Sequence, residues 1–361
     1  MPIDFAPERW DQVRQTYERW WAGTLDRPVI TATVRGRDPG RARPEVPLLT
    51  QASCMDLSFS PDEIIDRIDY ELSQDIYLGD AYPLVNLASF GPGIIAAFCG
   101  AKMDNSTGRV WFSPAQAVPI KELHLEYDGN NVWLNRIKDL YRAGMRRWKG
   151  QVLMSMTDLG GTLDILASFI PTETLLMDIY DHPEDVARLV REIRALWLRY
   201  YRELNDVLQP VNPGYSDWSG IYCREPSYML QSDFAYMIGP QSFRQFVMPD
   251  LAELGAVLPR IFYHLDGVGQ LKHLDDLLGL DCLRGIQWVP GDGMPDQGHW
   301  PDVYRRIHAA GKLTQLWGDW DILAGIVAQT GSGSWIQFKS SAEGPDQLSA
   351  VRRQLALYGM T

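Results

Sequence analysis

The run His264-Leu265-Asp266-Gly267 follows directly on the apolar stretch Ile261-Phe262-Tyr263. Alternate residues of a strand share a face, so His264 and Asp266 point to the same side of any strand that carries them. An imidazole beside a carboxylate can work as acid and base or hold a divalent cation, and Gly267-Val268-Gly269 lets backbone approach a ligand closely. Comparable polar groups end other strand-like runs: Thr157 and Asp158 after QVLMSM, Asp217 with Trp218, Gln231 with Asp233, Gln287 with Trp288, Trp317 with Asp319, and Lys339. Carboxylates, an imidazole and tryptophans brought together would serve acid–base chemistry, bind a cation, or cage a cationic group. Each has a plainer alternative: His264 oriented by hydrogen bonds, Asp233 capping a turn, Trp288 and Trp317 as core or pocket wall, Cys223 as a small apolar residue.

The elements that must position these groups form a strand–helix series. Trp10, Val13, Tyr17 and Trp20-Trp21 have helical spacing, and the strand Val29 to Val34 follows the break at Arg27-Pro28. Pro61 opens a helix over 61 to 73 with Ile64, Ile65, Ile68 and Leu72 on one face. Further strands are expected at 151 to 156, 214 to 218, 227 to 233, 260 to 266, 283 to 288, 312 to 318 and 334 to 340, with helices at 183 to 204, 242 to 258, 300 to 311 and at the C-terminal end. This alternation lacks both GxGxxG after a strand and a phosphate-binding loop. It predicts an α/β chain of the (β/α)8 TIM-barrel type, with no nucleotide cofactor. Residues 1–361 read as one such domain, with an N-terminal helical extension over 1–27 and a Gly-, Pro- and Asn-rich insertion or lid over 80–130, in which Ile94 to Cys99 forms a short helix.

Composition excludes several classes. At 45% hydrophobic and 22% charged the chain is ordinary globular material. A net charge of -12 and the absence of a basic run argue against nucleic acid as a partner. Cys54, Cys99, Cys223 and Cys282 are far apart and in no CxxC pattern, so no disulfide framework or thiolate zinc finger is indicated. With no signal-peptide pattern and no apolar run of membrane-spanning length, a cytoplasmic protein without a membrane partner and with a small-molecule substrate is expected.

The ordered segments Pro171 to Tyr201, SDFAYMIGPQSFRQFVMPDL (232 to 251), YHLDG (263 to 267) and the later GKL, with weaker likeness in DRPVI and GDAYPLVNLASFGPG, resemble the uroporphyrinogen decarboxylase superfamily, which includes corrinoid-dependent methyltransferases. The resemblance spans about residues 150 to 358 and implies a (β/α)8 fold. Its methyltransferases carry His-x-Cys at the strand end and a later cysteine, which together bind zinc; this chain has His264-Leu265-Asp266 and Lys339-Ser340-Ser341 in those places. A zinc or other divalent metal held by His264, Asp266 and a further acid remains chemically open.

The resemblance implies methyl transfer from a small methylated substrate to a corrinoid carried by a partner protein. His264 and Asp266 would hold the metal or activate the leaving group, Asp217 or Asp233 would accept a hydrogen bond or offset charge, and Trp218, Gln231, Gln287, Trp288, Trp317 and Asn86 would bind substrate. From a different class, a decarboxylase or lyase of a small acid or porphyrinogen would use Asp80 as proton donor and Arg35 or Arg37 as carboxylate anchor. A non-catalytic sugar or amine binder, with tryptophans stacking on its ligand, is the third reading.

Overall fold

The computed structural model describes residues 2–360. Its strands, in chain order, are β1 (Val29–Arg35), β2 (Asp75–Gly79), β3 (Leu84–Val85), β4 (Lys102–Asp104), β5 (Trp111–Ser113), β6 (Leu153–Met154), β7 (Ser227–Gln231), β8 (Arg260–Asp266), β9 (Leu283–Val289), β10 (Leu313–Trp317) and β11 (Ile336–Glu343). Seven form one sheet in the order β2-β1-β11-β10-β9-β8-β7, parallel throughout except for β2 against β1. β3 pairs with β6 in parallel, and β4 with β5 as an antiparallel hairpin. The chain is thus α/β with a central, mainly parallel sheet whose ladder is open, β2 and β7 being its edges.

Residues 214 to 218 form no ladder strand. Tyr215 instead bridges Cys223 antiparallel, and the backbone N–H of Met229 in β7 donates 2.6 Å to the Asp217 carboxylate rather than to a carbonyl. A side chain occupying a strand's donor interrupts pairing there. Single backbone bonds still run from Met156 N to the Ser216 carbonyl (2.8 Å) and from Ser155 N to the Val85 carbonyl (2.9 Å). Residues 80–130 are therefore not wholly an insertion, because β3 takes part in strand pairing; the hairpin β4–β5 and the short helix Ile95–Phe98 are the inserted elements.

Helices cover the strands where apolar periodicity places them. Ser60 and Glu63 cap Pro61–Leu72 reciprocally, and the 26-residue Pro183–Leu208 buries Val186, Leu189, Val190, Ile193, Leu196, Trp197, Tyr200 and Leu204. The helix expected over 242 to 258 is broken into Pro240–Phe246 and Met248–Val257, since Pro249 has no N–H to continue the ladder. Val132–Trp148, opened by Asn131 accepting from the N–H groups of Trp133 and Leu134, was not anticipated. Among the described residues no helix is long and apolar enough to cross a membrane.

Period-two alternation sorts the sheet's side chains. Ile261, Tyr263 and Leu265 of β8 are buried, while Phe262, on the other face with His264 and Asp266, meets the rings of Trp20 and Trp21 from the N-terminal helix Arg9–Trp21. Gly285 makes that contact sterically possible, because a Cβ there would lie 2.2 Å from the Phe262 ring. His264 and Asp266 therefore stand toward the carboxyl end of β8, beyond a packed aromatic layer.

Candidate metal centre

Asp233, His264 and Asp266 each offer a donor atom within 4.8 Å of the others. His264 Nε2 is 3.9 Å from an Asp266 carboxylate oxygen. Donors around a tetrahedral ion with bonds near 2.1 Å lie about 3.4 Å apart, so small side-chain rotations would close this set on a cation. One imidazole and two carboxylates suit zinc and also harder divalent ions.

Asp233 belongs to a separate turn, and several contacts bring it to the end of β8. The turn Asp233–Tyr236 follows β7 after Ser232. The half-buried acid Asp164 accepts from its backbone N–H groups, from Asp233 at 3.0 Å and Phe234 at 2.7 Å. Lys272 and His273 donate to the carbonyls of Tyr236 and Ala235. The Tyr236 ring lies on Gly267 (φ +82°), where a Cβ would sit 2.9 Å from the ring, and on Gly269, where it would sit 2.6 Å away. Glycine at both positions lets the turn lie against the β8 end. Burial raises the Asp164 carboxyl to about 7, with the Asp233 charge adding to it. Desolvation also holds Asp233 above the ordinary carboxylate range; His264 opposes that shift and Asp266 adds to it.

A chain of amides fixes the imidazole. His264 Nδ1 contacts Gln287 Oε1, Gln287 Nε2 donates to Gln315 Oε1, Gln315 Nε2 donates to Gln337 Oε1 at 2.7 Å, and Gln337 Nε2 to Thr31 Oγ1 at 3.2 Å. The direction is set at both ends. Gln315 Nε2 also faces the Ser219 carbonyl at 3.1 Å, which only accepts, and the Thr31 hydroxyl donates to the Phe338 carbonyl. With the amides so oriented, Gln287 presents oxygen to Nδ1, so Nδ1 donates to it and Nε2 is the nitrogen turned toward Asp266. This is the outer support a metal-binding histidine uses. Trp218 meets the His264 ring edge-to-face at 5.0 Å, and Asn86 Nδ2 holds the Trp218 carbonyl at 2.7 Å.

Gln231 ends β7 directly opposite His264. The relay's other end opens on a cavity of about 800 Å3 lined by Thr31, Trp317, Asp319, Trp320, Lys339 and Ser341. Trp317 lines this cavity and is not part of the cluster around His264.

Other expected site residues are placed differently. Asp80 is buried in a two-pronged ion pair with Arg27 (2.7 and 2.9 Å) and accepts from the Ile30 N–H, leaving it engaged in structure and not as a proton donor. Asp217 accepts from the Ser219 N–H and hydroxyl and from the Met229 N–H, which ties its own loop to β7 outside the cluster; burial raises its pKa despite those bonds. Trp288 is fully buried on the opposite face from Gln287, against Trp300, and so is core. Arg35 pairs with Asp75 and Glu71, while Arg37 donates to the carbonyls of Pro2 and Ser73; neither guanidinium is left as an anchor.

Gln315, Gln337, Thr31 and Asp164 escaped the sequence reading. A signal existed for the first two, since GIQW, TQLW and IQFK each place glutamine inside an apolar strand. Compared with models of known protein families and with curated proteins, the chain matches none.

Proposed function

We propose that this chain is a metal-dependent enzyme of the methyltransferase type, with a divalent cation held by Asp233, His264 and Asp266. The observation that carries the reading is the convergence of these three donors with His264 anchored through Nδ1, so that Nε2 faces Asp266. When bound, the cation supplies Lewis-acid stabilisation of charge developing on a leaving oxygen or nitrogen. Gln287 holds the imidazole, Asp164 holds the turn that presents Asp233, and Trp218 walls the imidazole on one side. The methyl group passes from a small methylated substrate to a corrinoid on a partner protein, which provides the nucleophile.

The proposed architecture is a barrel of the (β/α)8 type in which residues 214 to 218 and β6 continue the sheet beyond β7, bringing its parallel strands to eight, with β3 as an added partner of β6. The bonds from Met156 to Ser216 and from Ser155 to Val85 support that continuation, and a site at the carboxyl ends of the strands suits it. The decarboxylase alternative loses its donor and anchors to the ion pairs of Asp80 and Arg35.

The test is metal analysis of protein purified without chelator, paired with demethylation assays using a corrinoid carrier. Wild type should hold one divalent ion per chain, and His264→Ala and Asp266→Ala should lose both metal and activity. Wild type free of metal after incubation with zinc, cobalt or manganese would overturn the metal reading; no demethylation of quaternary amines or aryl methyl ethers by metal-loaded protein would overturn the methyltransferase reading.

A further inference from the structure

Lys339 projects from β11 on the face that carries Gln337 and Ser341. Its ammonium has one hydrogen-bond partner within the described residues, the Ser219 carbonyl at 2.9 Å, and no carboxylate within ion-pair distance. An ammonium has three donors, so two remain to be used. Gly220, at φ +74°, leaves room beside it, since a Cβ there would lie 3.2 Å from Nζ and 2.9 Å from Leu84. The charged neighbours are otherwise occupied or solvated. Asp75 is held by Arg35, Asp217 by Ser219 and Met229, and Asp319 is exposed at the rim.

Register adds hydroxyls to the amine. Lys339 stands opposite Thr31 and Ser341 opposite Thr33 across the β1–β11 ladder, and all four line the cavity. Thr31 is committed to the glutamine relay, but the Thr33 and Ser341 hydroxyls have no partner among the described residues. Trp317 and Trp320 supply flat apolar wall. A cation short of an anion, beside free hydroxyls and indole faces, matches an aromatic ring bearing a carboxylate.

We propose that this cavity binds an aromatic carboxylate, with Lys339 as its anchor and Thr33 and Ser341 as further donors. The cavity's lining includes none of Asp233, His264 and Asp266, so the proposal is of a binding site that stands independently of the metal centre. Burial lowers the lysine pKa from its ordinary value while Asp217 pulls it back, so carboxylate binding also restores favourable surroundings to the charge.

The probes are benzoate and benzamide, alike in shape and different in charge, titrated by calorimetry into wild type, Lys339→Met, Lys339→Arg and His264→Ala. Wild type at pH 7 should favour benzoate by about tenfold or more, as expected for a charge-assisted contact. Lys339→Met should reduce that preference to about threefold or less, and Lys339→Arg should keep it. Methionine replaces the ammonium with an apolar chain of similar length, so the fold is expected to survive, and the melting temperature checks that it does. Equal affinity of wild type for both probes, or an unchanged preference in folded Lys339→Met, would overturn the proposal. His264→Ala should bind benzoate as wild type does even where metal is lost, which separates failure of this anchor from failure of the metal centre.

Discussion

Replacing Gln287 with methionine removes the oxygen that accepts from His264 Nδ1 and, in the same step, the donor that serves Gln315 Oε1. The two losses have different readouts. Without its acceptor the imidazole is free to rotate and to exchange tautomers, so a fraction of molecules no longer offers Nε2 to the cation. Loss of an outer-shell partner of this kind typically weakens metal binding by about 10- to 100-fold, or about 1.4 to 2.7 kcal/mol. The orphaned Gln315 oxygen is buried, and leaving it unpaired should lower folding stability by about 1–3 kcal/mol. The assay is a competition titration with a chromophoric chelator, run with zinc and with cobalt, alongside urea unfolding. Gln337→Met is the comparator, because it breaks the relay at its Thr31 end without touching His264. It should lose comparable stability but change metal affinity by about threefold or less, since the bond between His264 and Gln287 stays intact. Metal affinity in Gln287→Met within about threefold of wild type, or an equal loss in Gln337→Met, would refute the claim that the relay acts by orienting His264.

Two further predictions follow from the same geometry. Arg27→Met strands the buried Asp80 carboxylate and should cost about 3 kcal/mol in urea unfolding while leaving metal stoichiometry at wild-type level, whereas metal loss on a folded variant would bring Asp80 back into the site. Asp158 is buried and its pKa is raised to about 8, first by burial, with Asp233 and Asp217 adding to it. Its folded pKa lies above the unfolded value of about 3.9, so the native state keeps a proton that the unfolded chain releases, and stability falls as pH rises from about 4 to about 8 by at most about 1.4 kcal/mol per unit. Asp158→Asn should flatten that part of the dependence in unfolding titrations between pH 5 and 8.5, with the residual slope coming from Asp164 and Asp250, both raised to about 7 by burial; an unchanged slope would show that Asp158 ionises as an exposed acid does.

Short-range pattern governs the part of the fold that can be read from the chain directly. Period-two and helical patterns settle which side chains lie on which face, so β1, β7, β8, β9, β10 and β11 and the long helix Pro183–Leu208 are legible in the sequence. The pairing of His264 with Asp266 on one side of β8 follows from alternation alone. The strand expected at 214 to 218 failed because local pattern carries no knowledge of the Asp217 carboxylate taking the Met229 N–H. Tertiary structure alone decided the partners of charged groups. Arg27 lies 53 residues from Asp80, and nothing near either predicts an ion pair that withdraws the acid from chemistry. Asp233 comes to His264 through tertiary contacts, among them the bonds from its turn to Asp164 and the Tyr236 ring that glycine at 267 and 269 admits. The relay across β8, β9, β10, β11 and β1 exists because parallel strands bring Gln287, Gln315 and Gln337 to neighbouring places in one sheet, a coincidence of register that follows from how strands far apart in the chain pair.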